Sequence, residues 1–315
     1  MEYFGMIDSS SIFKNFIRVE RKDMTLLGSP ILKGKAQNQA IQRKIEELKM
    51  AITRLSLLQS HDALVLHKNS LSLPKLLYLL RTADCSGNML LLTFDDVLRS
   101  GLSTILNINL NDDQWIQASL PVRNGGLGIR SAQMLAPSAF LASAESTWEL
   151  QESILPHNIR LMDDKSVTEN ETRWLSMSEA PKPVAELQHI QKAWDSLIVS
   201  NLVTKVLSRA SSEVDKARLL AASAPHSGDW LLASPISSVG LKLSDEAIRV
   251  SVAQRLGCRA CEPHKCLCGK TVDARGLHGL ACRKSAPRHQ RHSQMNDLIW
   301  RAVKRAEIPA VKEPV

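Results

Sequence analysis

Ile41, Ile45, Leu48, Ile52 and Leu55 recur at steps of four, three, four and three, the spacing that lines one face of an α-helix. It predicts a long amphipathic helix after about residue 35. Pro74 to Ala83 reads as a further helix with proline in its first turn, and Met89 to Leu106 as another. Helical patterning resumes from Ala185 to Ala210 and from Glu213 to Ala224, where Pro225-His226-Ser227-Gly228-Asp229-Trp230 interrupts it. Ser244, followed by Asp245 and Glu246, reads as the N-cap of a helix ending near Leu256. A last helix is expected over about Gln290 to Glu307, with Met295, Ile299, Ala302 and Ala306 on one face. Thr25 to Ile31, a short apolar run stopped by Gly28 and Pro30, reads instead as a strand and turn. The pattern predicts a mainly α fold with a short N-terminal β element.

Two stretches break the periodicity. Pro121-Val122-Arg123-Asn124-Gly125-Gly126-Leu127-Gly128-Ile129 is dense in turn residues; a Gly-rich loop can cradle phosphate, but this one lacks the GK[ST] and Rossmann spacings. A tight turn after a helix is the reading favoured. Residues 156–184, with Pro156, Asp163-Asp164, a Ser/Thr/Glu/Asn-rich run and Pro181-Lys182-Pro183, read as a linker.

Charge divides the chain. Arg255 to Val315 holds 13 Lys/Arg against 5 Asp/Glu, and the preceding 254 residues hold 27 of each. A basic, compact segment points to a polyanion, most often nucleic acid. Aromatic residues make up only 4%, which argues against a broad surface of stacking rings. The nearest approach to a membrane span, Leu76 to Leu98, is broken by Arg81, Asp84, Asp95 and Asp96, and the first residues show no signal peptide.

The cysteines follow the same division. Cys85 stands alone; Cys258, Cys261, Cys266, Cys268 and Cys282 lie within 25 residues. Disulfides would suit a secreted domain, and packing alone does not explain five thiols so close together. Zinc fits better, because thiolates and imidazoles supply the soft ligands of a closed tetrahedral site. The set expected is Cys266, Cys268, His278 and Cys282, a C-x-C-x9-H-x3-C arrangement, with Cys258, Cys261 and His264 as spare ligands. Arg283, Lys284, Arg288, Arg291, His292, Arg301, Lys304 and Arg305 follow and are the candidate phosphate contacts. Elsewhere, Phe94-Asp95-Asp96 lacks the spacing of a polymerase metal pair and reads as a capping or surface pair. His61-Asp62 and His226-Ser227-Gly228-Asp229 are assigned no chemistry.

Taken in order, Leu26-Leu27-Gly28-Ser29-Pro30-Ile31, His61-Asp62-Ala63-Leu64, Leu73-Pro74-Lys75-Leu76-Leu77-Tyr78-Leu79-Leu80-Arg81 and Ala118 to Arg130 resemble the region after the palm in reverse transcriptases of non-LTR-type retroelements. The cluster ending at Cys282, then Arg291-His292 and Glu313-Pro314, is similar to the zinc knuckle and the start of the restriction-like endonuclease of such elements. The resemblance implies a palm remnant at 1–35, a helical thumb-like domain at 36–155, the linker at 156–184, a helical linker domain at 185–256, a zinc knuckle at 257–289 and a truncated endonuclease-like start at 290–315. It places the catalytic aspartates of the polymerase before Met1 and those of the nuclease after Val315, so no complete active site is expected within the chain. It sets Arg123 and the Gly125–Gly128 loop near nucleic acid, matches Arg291 and His292 to a basic pair before the nuclease core, and implies an intracellular, nuclear location.

The function expected is nucleic-acid binding, to DNA and/or RNA, by a zinc-held basic tail that grips template, primer or target. The alternatives are a zinc-stapled helical protein-interaction module and a degenerate reading frame that does not fold stably.

Overall fold

The computed structural model describes residues 2–3, 17–20, 23–154, 165–284 and 286–312; side chains are described for these except at 2–3, 17–18 and 286–292. Pro156 and Asp163-Asp164 lie outside the described residues. The protein is mainly helical, as expected. It divides into a body, Met1–Leu256, and a C-terminal module, Gly257–Val315.

The body begins with two small β pairs. Glu2–Tyr3 (β1) pairs in parallel with Ile17–Arg18 (β2). Thr25–Leu26 (β3) and Ser29–Pro30 (β4) form an antiparallel hairpin about Leu27-Gly28, both with positive φ. The expected single strand is thus folded in half, because Leu27-Gly28 takes the positive-φ turn that two-residue hairpins need.

Helix α1, Lys35–Leu55, buries Ile41, Ile45, Leu48 and Leu55, four of the five positions that predicted it. Ile41, Ile45 and Leu48 pack in one cluster with Leu91, Phe94 and Leu98 of α4 (Met89–Leu106) and with Leu76, Leu79, Leu80 and Ala136. Between α1 and α4 lie α2, Ser60–Leu66, a π-helical turn His67–Leu71, a 3-10 turn Leu73–Lys75 and α3, Leu77–Thr82. The single helix expected from Pro74 is therefore split at Leu76. Helix α4 spans Met89–Leu106, the range read from its pattern, capped by the Asn88 side chain accepting from the Leu90 amide at 3.0 Å.

Helix α5, Asp112–Ser119, opens with an Asn111/Gln114 capping box. Helix α6, Ala132–Ile154, is capped locally by Ser131, whose hydroxyl accepts from the Met134 amide at 3.2 Å. Its first amides are met by Asp95 from α4: the carboxylate accepts from the Ala132 amide (2.7 Å), the Gln133 amide (3.2 Å) and the Ser131 hydroxyl (2.5 Å). Of the two readings of the Asp95-Asp96 pair, Asp95 is a cap, across 37 residues, and it is buried.

The segment read as a linker is where sequence and structure part. Helix α7, Lys165–Ser178, occupies it and buries Trp174 completely. The Trp174 ring meets Trp194 of α8 (Gln191–Ser208) edge to face at 4.9 Å, and its Nε1 donates to the Trp194 carbonyl at 3.1 Å. Trp174, Trp194, Ile198, Leu141 and Ala142 form a second core cluster. Lys33 bridges Asp84 (2.6 Å) and Glu169 (2.7 Å), and Asn170 donates to Asp84 at 2.7 Å, tying α7 to the first helices. Asn170, Trp174 and Ser178, four residues apart, form the buried face that docks a helix whose composition reads as a linker. Residues 36–155 and 185–256 consequently belong to one compact body, rather than to domains joined by a tether.

Helices α9, Glu213–Ser223, and α10, Asp245–Leu256, complete the body. Ser244 caps α10 through its hydroxyl, which accepts from the Ala247 amide at 3.3 Å. His61 and Asp62 hold the segment before it: His61 Nδ1 accepts from the Leu243 amide at 3.0 Å and Asp62 pairs with Lys242 at 2.6 Å. Burial lowers the His61 pKa, as a neutral acceptor requires.

In the module, His264–Lys265 (β5) pairs antiparallel with Thr271–Val272 (β6), and α11, Leu277–Ala281, and α12, Ala286–Arg305, follow. No helix among the described residues is long and apolar enough to cross a membrane.

Candidate metal centre

Cys266, Cys268, His278 and Cys282 converge, with one ligand atom from each lying within 4.8 Å of all the others. This is the quartet the spacing predicted. Two local structures make it. The β5–β6 hairpin closes through the Cys266 amide on the Lys270 carbonyl (2.9 Å), and the Gly269 amide donates to the Cys266 carbonyl (2.8 Å). The chain reverses at Gly269, φ +88°, which a side-chain-bearing residue adopts only with strain. Cys266 and Cys268 thereby flank one tight turn. The second half is α11, whose Leu277 amide is capped by the Asp273 carboxylate at 3.2 Å. His278 lies on it and Cys282 is its C-cap one turn later, the Cys282 amide donating to the His278 carbonyl at 2.9 Å.

The sulfurs of Cys266 and Cys282 are 3.6 Å apart, and Cys268 Sγ is 3.1 Å from His278 Nε2. A disulfide needs about 2.05 Å, whereas two thiolates on one tetrahedral zinc stand about 3.8 Å apart, given Zn–S bonds of about 2.3 Å. The cluster can therefore hold a metal ion. Four protein ligands close a tetrahedron and leave no position for a substrate, which makes such an ion structural.

The electrostatics suit a cation. The Lys270 amide directed at Cys268 holds that thiol down at about 6, with hydrogen bonds from Cys266, Cys282 and His278 acting in the same direction. Cys282 is raised, first by desolvation and then by the two neighbouring sulfurs, while the Lys284 amide works against them. Three sulfurs crowded together resist ionising in succession; a divalent ion removes that repulsion.

The spare ligands stay outside. Cys261 lies under the turn that leads to α11: its amide and sulfur both meet the 273–274 carbonyls, at 3.0 Å to Ala274 O and 3.3 Å to Asp273 O. Cys258 is buried and outside the quartet. His264 is exposed, its Nδ1 2.9 Å from the Glu262 carbonyl. The role of Cys261 as a brace for the second ligand pair was not visible in its C-x2-C spacing.

The candidate phosphate contacts are distributed as follows. Arg283 and Lys284 are exposed beside Cys282. Arg301 pairs with Asp297 at 2.7 Å, Lys304 lies 5.2 Å above the Trp300 ring, and Arg305 is exposed at the end of α12. The side chains of Arg288, Arg291 and His292 lie outside the described residues, although their backbone is in α12. Met295 and Ile299, expected on one helical face, are more than half exposed, and Ala306 lies beyond the helix end.

The Gly-rich loop is a tight turn, and five of its backbone amides are engaged within it. The amides of Asn124, Gly125, Gly126, Leu127 and Gly128 donate to carbonyls of residues 118–122, which leaves none of these five for a phosphate. Its carbonyls take a buried cation instead. Arg255 of α10 donates to Val122 O (2.8 Å), Gly126 O (3.1 Å) and Ser227 O (3.2 Å), while Gln117 donates to the Gly125 and Arg255 carbonyls, both at 3.0 Å. A Cβ on Gly126 would lie 2.0 Å from Leu120 O, so glycine is required there for close packing. Arg123 remains exposed at the rim.

Comparison with protein-family models, with curated proteins and with solved structures finds no match to this chain.

Proposed function

We propose that the protein binds nucleic acid without sequence preference, through a basic C-terminal module folded around zinc. The observation that carries this reading is the coincidence of charge and metal cluster: Gly257 to Val315 holds 12 Lys/Arg against 5 Asp/Glu, in the same module as the four converged ligands. Arg283, Lys284 and Arg305 are exposed cations, and phosphates are the partners that reward such a surface. Three sulfurs and one imidazole in a closed set favour zinc over the harder divalent ions. The order of motifs resembling a non-LTR reverse transcriptase supports the same reading, with the thumb-like body and knuckle as a grip on template, primer or target. Neither the body nor the module is assigned polymerase or nuclease chemistry.

The test is binding of the full, metal-loaded chain to labelled DNA and RNA across a salt series. Engagement of about five phosphates predicts a log–log slope of about −4.5 for duplex DNA, with the binding abolished by chelation. One equivalent of bound zinc with no affinity for either nucleic acid would overturn the proposal. That result would favour the second reading, a protein-interaction module, for which the exposed Met295, Leu298 and Ile299 of α12 are the supporting observation.

A further inference from the structure

Leu267 is 91% exposed, the most open of the large apolar side chains among the described residues. It stands between Cys266 and Cys268, at the tip of the turn that carries half of the metal ligands. Leu280, also exposed, stands between the other two, His278 and Cys282. A surface leucine on a flexible loop can fold against its neighbours. Leu267 is held outward instead, because the turn is closed by the Cys266–Lys270 and Gly269–Cys266 hydrogen bonds and both of its cysteines point into the ligand cluster.

The surroundings of the tip are cationic. From Pro263 to Val272 the chain holds Lys265 and Lys270 and no carboxylate; both lysines are exposed. Of the two acids that flank this stretch, Glu262 pairs with Arg259 at 3.1 Å and Asp273 accepts from the Leu277 amide. A rigid apolar tip between two lysines matches a chain that alternates an anion with a flat apolar face, which is the chemistry of an unpaired nucleotide. In a duplex the base faces are stacked on one another and only edges are presented, so the leucine would meet no face without unstacking a step.

We infer that the Leu267 turn is a base-covering tip, so that the module takes unpaired nucleotides in preference to duplex, with Leu267 against a base and Lys265 and Lys270 on the adjoining phosphates. The inference rests on the nucleic-acid reading above and specifies its substrate.

The experiment compares the full, zinc-loaded wild type with Leu267→Ser and Leu267→Met, on a single-stranded 20-mer carrying 2-aminopurine and on the same sequence as a blunt duplex. Zinc content is measured for each variant as the control for folding. The wild type is expected to favour the single strand by about tenfold and to alter 2-aminopurine emission. Leu267→Ser is expected to lose about fivefold on the single strand, with little change on duplex and an unchanged salt slope; Leu267→Met is expected to retain binding. Equal wild-type affinity for strand and duplex, or an undiminished Leu267→Ser, would overturn the tip while salt-dependent binding left the wider proposal standing. Absence of wild-type binding to either form would overturn both. Leu267-dependent binding to vesicles containing phosphatidylserine, without the single-strand preference, would assign the tip to a lipid surface and also overturn the inference.

Discussion

The body and the C-terminal module use cysteine in opposite ways. Cys85 lies in the core cluster of the body, its thiol pushed up to about 12 by burial and by the Asp84 charge beside it. There it acts as a small apolar side chain, touched by the Gln37 amide and the Leu79 carbonyl, each at 3.7 Å. Cys268 is held down at about 6 by a backbone amide and by its fellow ligands. The body is rich enough in leucine and isoleucine to cohere by excluding water. The module has few buried apolar side chains, Val272 and the cysteines Cys258 and Cys282 among them, and a segment of that size needs a staple.

The largest effect expected follows from that contrast. Stripping the metal with a chelator, or replacing Cys266 with Ser, should unfold residues 257–284 outright, because structural zinc supplies about 10 kcal/mol or more of folding energy to such sites. The body should melt at an unchanged temperature. Thiol labelling monitors both regions at once: the quartet should react on chelation, while Cys85 should react only after global unfolding. A module that stays ordered without metal would break the comparison.

Trp174→Ala should reverse the pattern, destabilising the body by about 3–5 kcal/mol through lost burial and a cavity and leaving zinc content intact. Chemical denaturation read by circular dichroism checks it. A change under 1 kcal/mol would return residues 165–178 to the status of a linker.

Arg255→Ala should cost the body about 3 kcal/mol, because three carbonyls would lose a charged donor in a buried place. Arg255→Lys should recover only part of that loss, since one ammonium cannot span the three acceptors as a guanidinium fork does.

The smallest effect separates two buried groups within the body. Desolvation pushes Asp95 up to about 6, despite its hydrogen bonds from Ser131, Ala132 and Gln133. Between its ordinary pKa of 3.8 and that value, the folded state holds a proton that the unfolded state has lost, so this group stabilises the fold as pH falls and the contribution is lost as pH rises through 6. Desolvation lowers His67 to about 4, with the Leu98 carbonyl offsetting part of the shift. Over the interval from 4 to 6.5 the unfolded state binds the extra proton, so His67 destabilises the fold as pH falls. The two oppose each other in the wild type. Asp95→Asn removes the first alone and should make the body lose about 1.5 kcal/mol more than wild type between pH 6 and pH 4.5. Parallel stability–pH curves for the two proteins would refute this.

Much of the architecture was legible from local chemistry. The apolar face of α1, the whole of α4 and the Ser244 cap of α10 are short-range features, and residues three or four apart meet in any helix. The metal quartet was legible for a related reason: one turn brings Cys266 to Cys268, and one helical turn brings His278 to Cys282. Helix α7 was hidden because its polar composition carries a single buried tryptophan, whose burial depends on a partner 20 residues away. The Gly-rich loop was legible as a turn but not as the seat of Arg255, more than 120 residues distant in sequence.

What the sequence by itself determined is what hydrogen bonding and side-chain spacing settle within a few residues: helix faces, caps, turns, the segregation of charge and the ligand set. Tertiary structure alone decided which polar groups meet across the chain. Asp95 became a second cap of α6, Arg255 the plug of a glycine loop, and Cys261 a brace rather than a ligand. Each of these depends on contacts between distant segments, and those are chosen by the burial of the whole core rather than by the preference of any one residue.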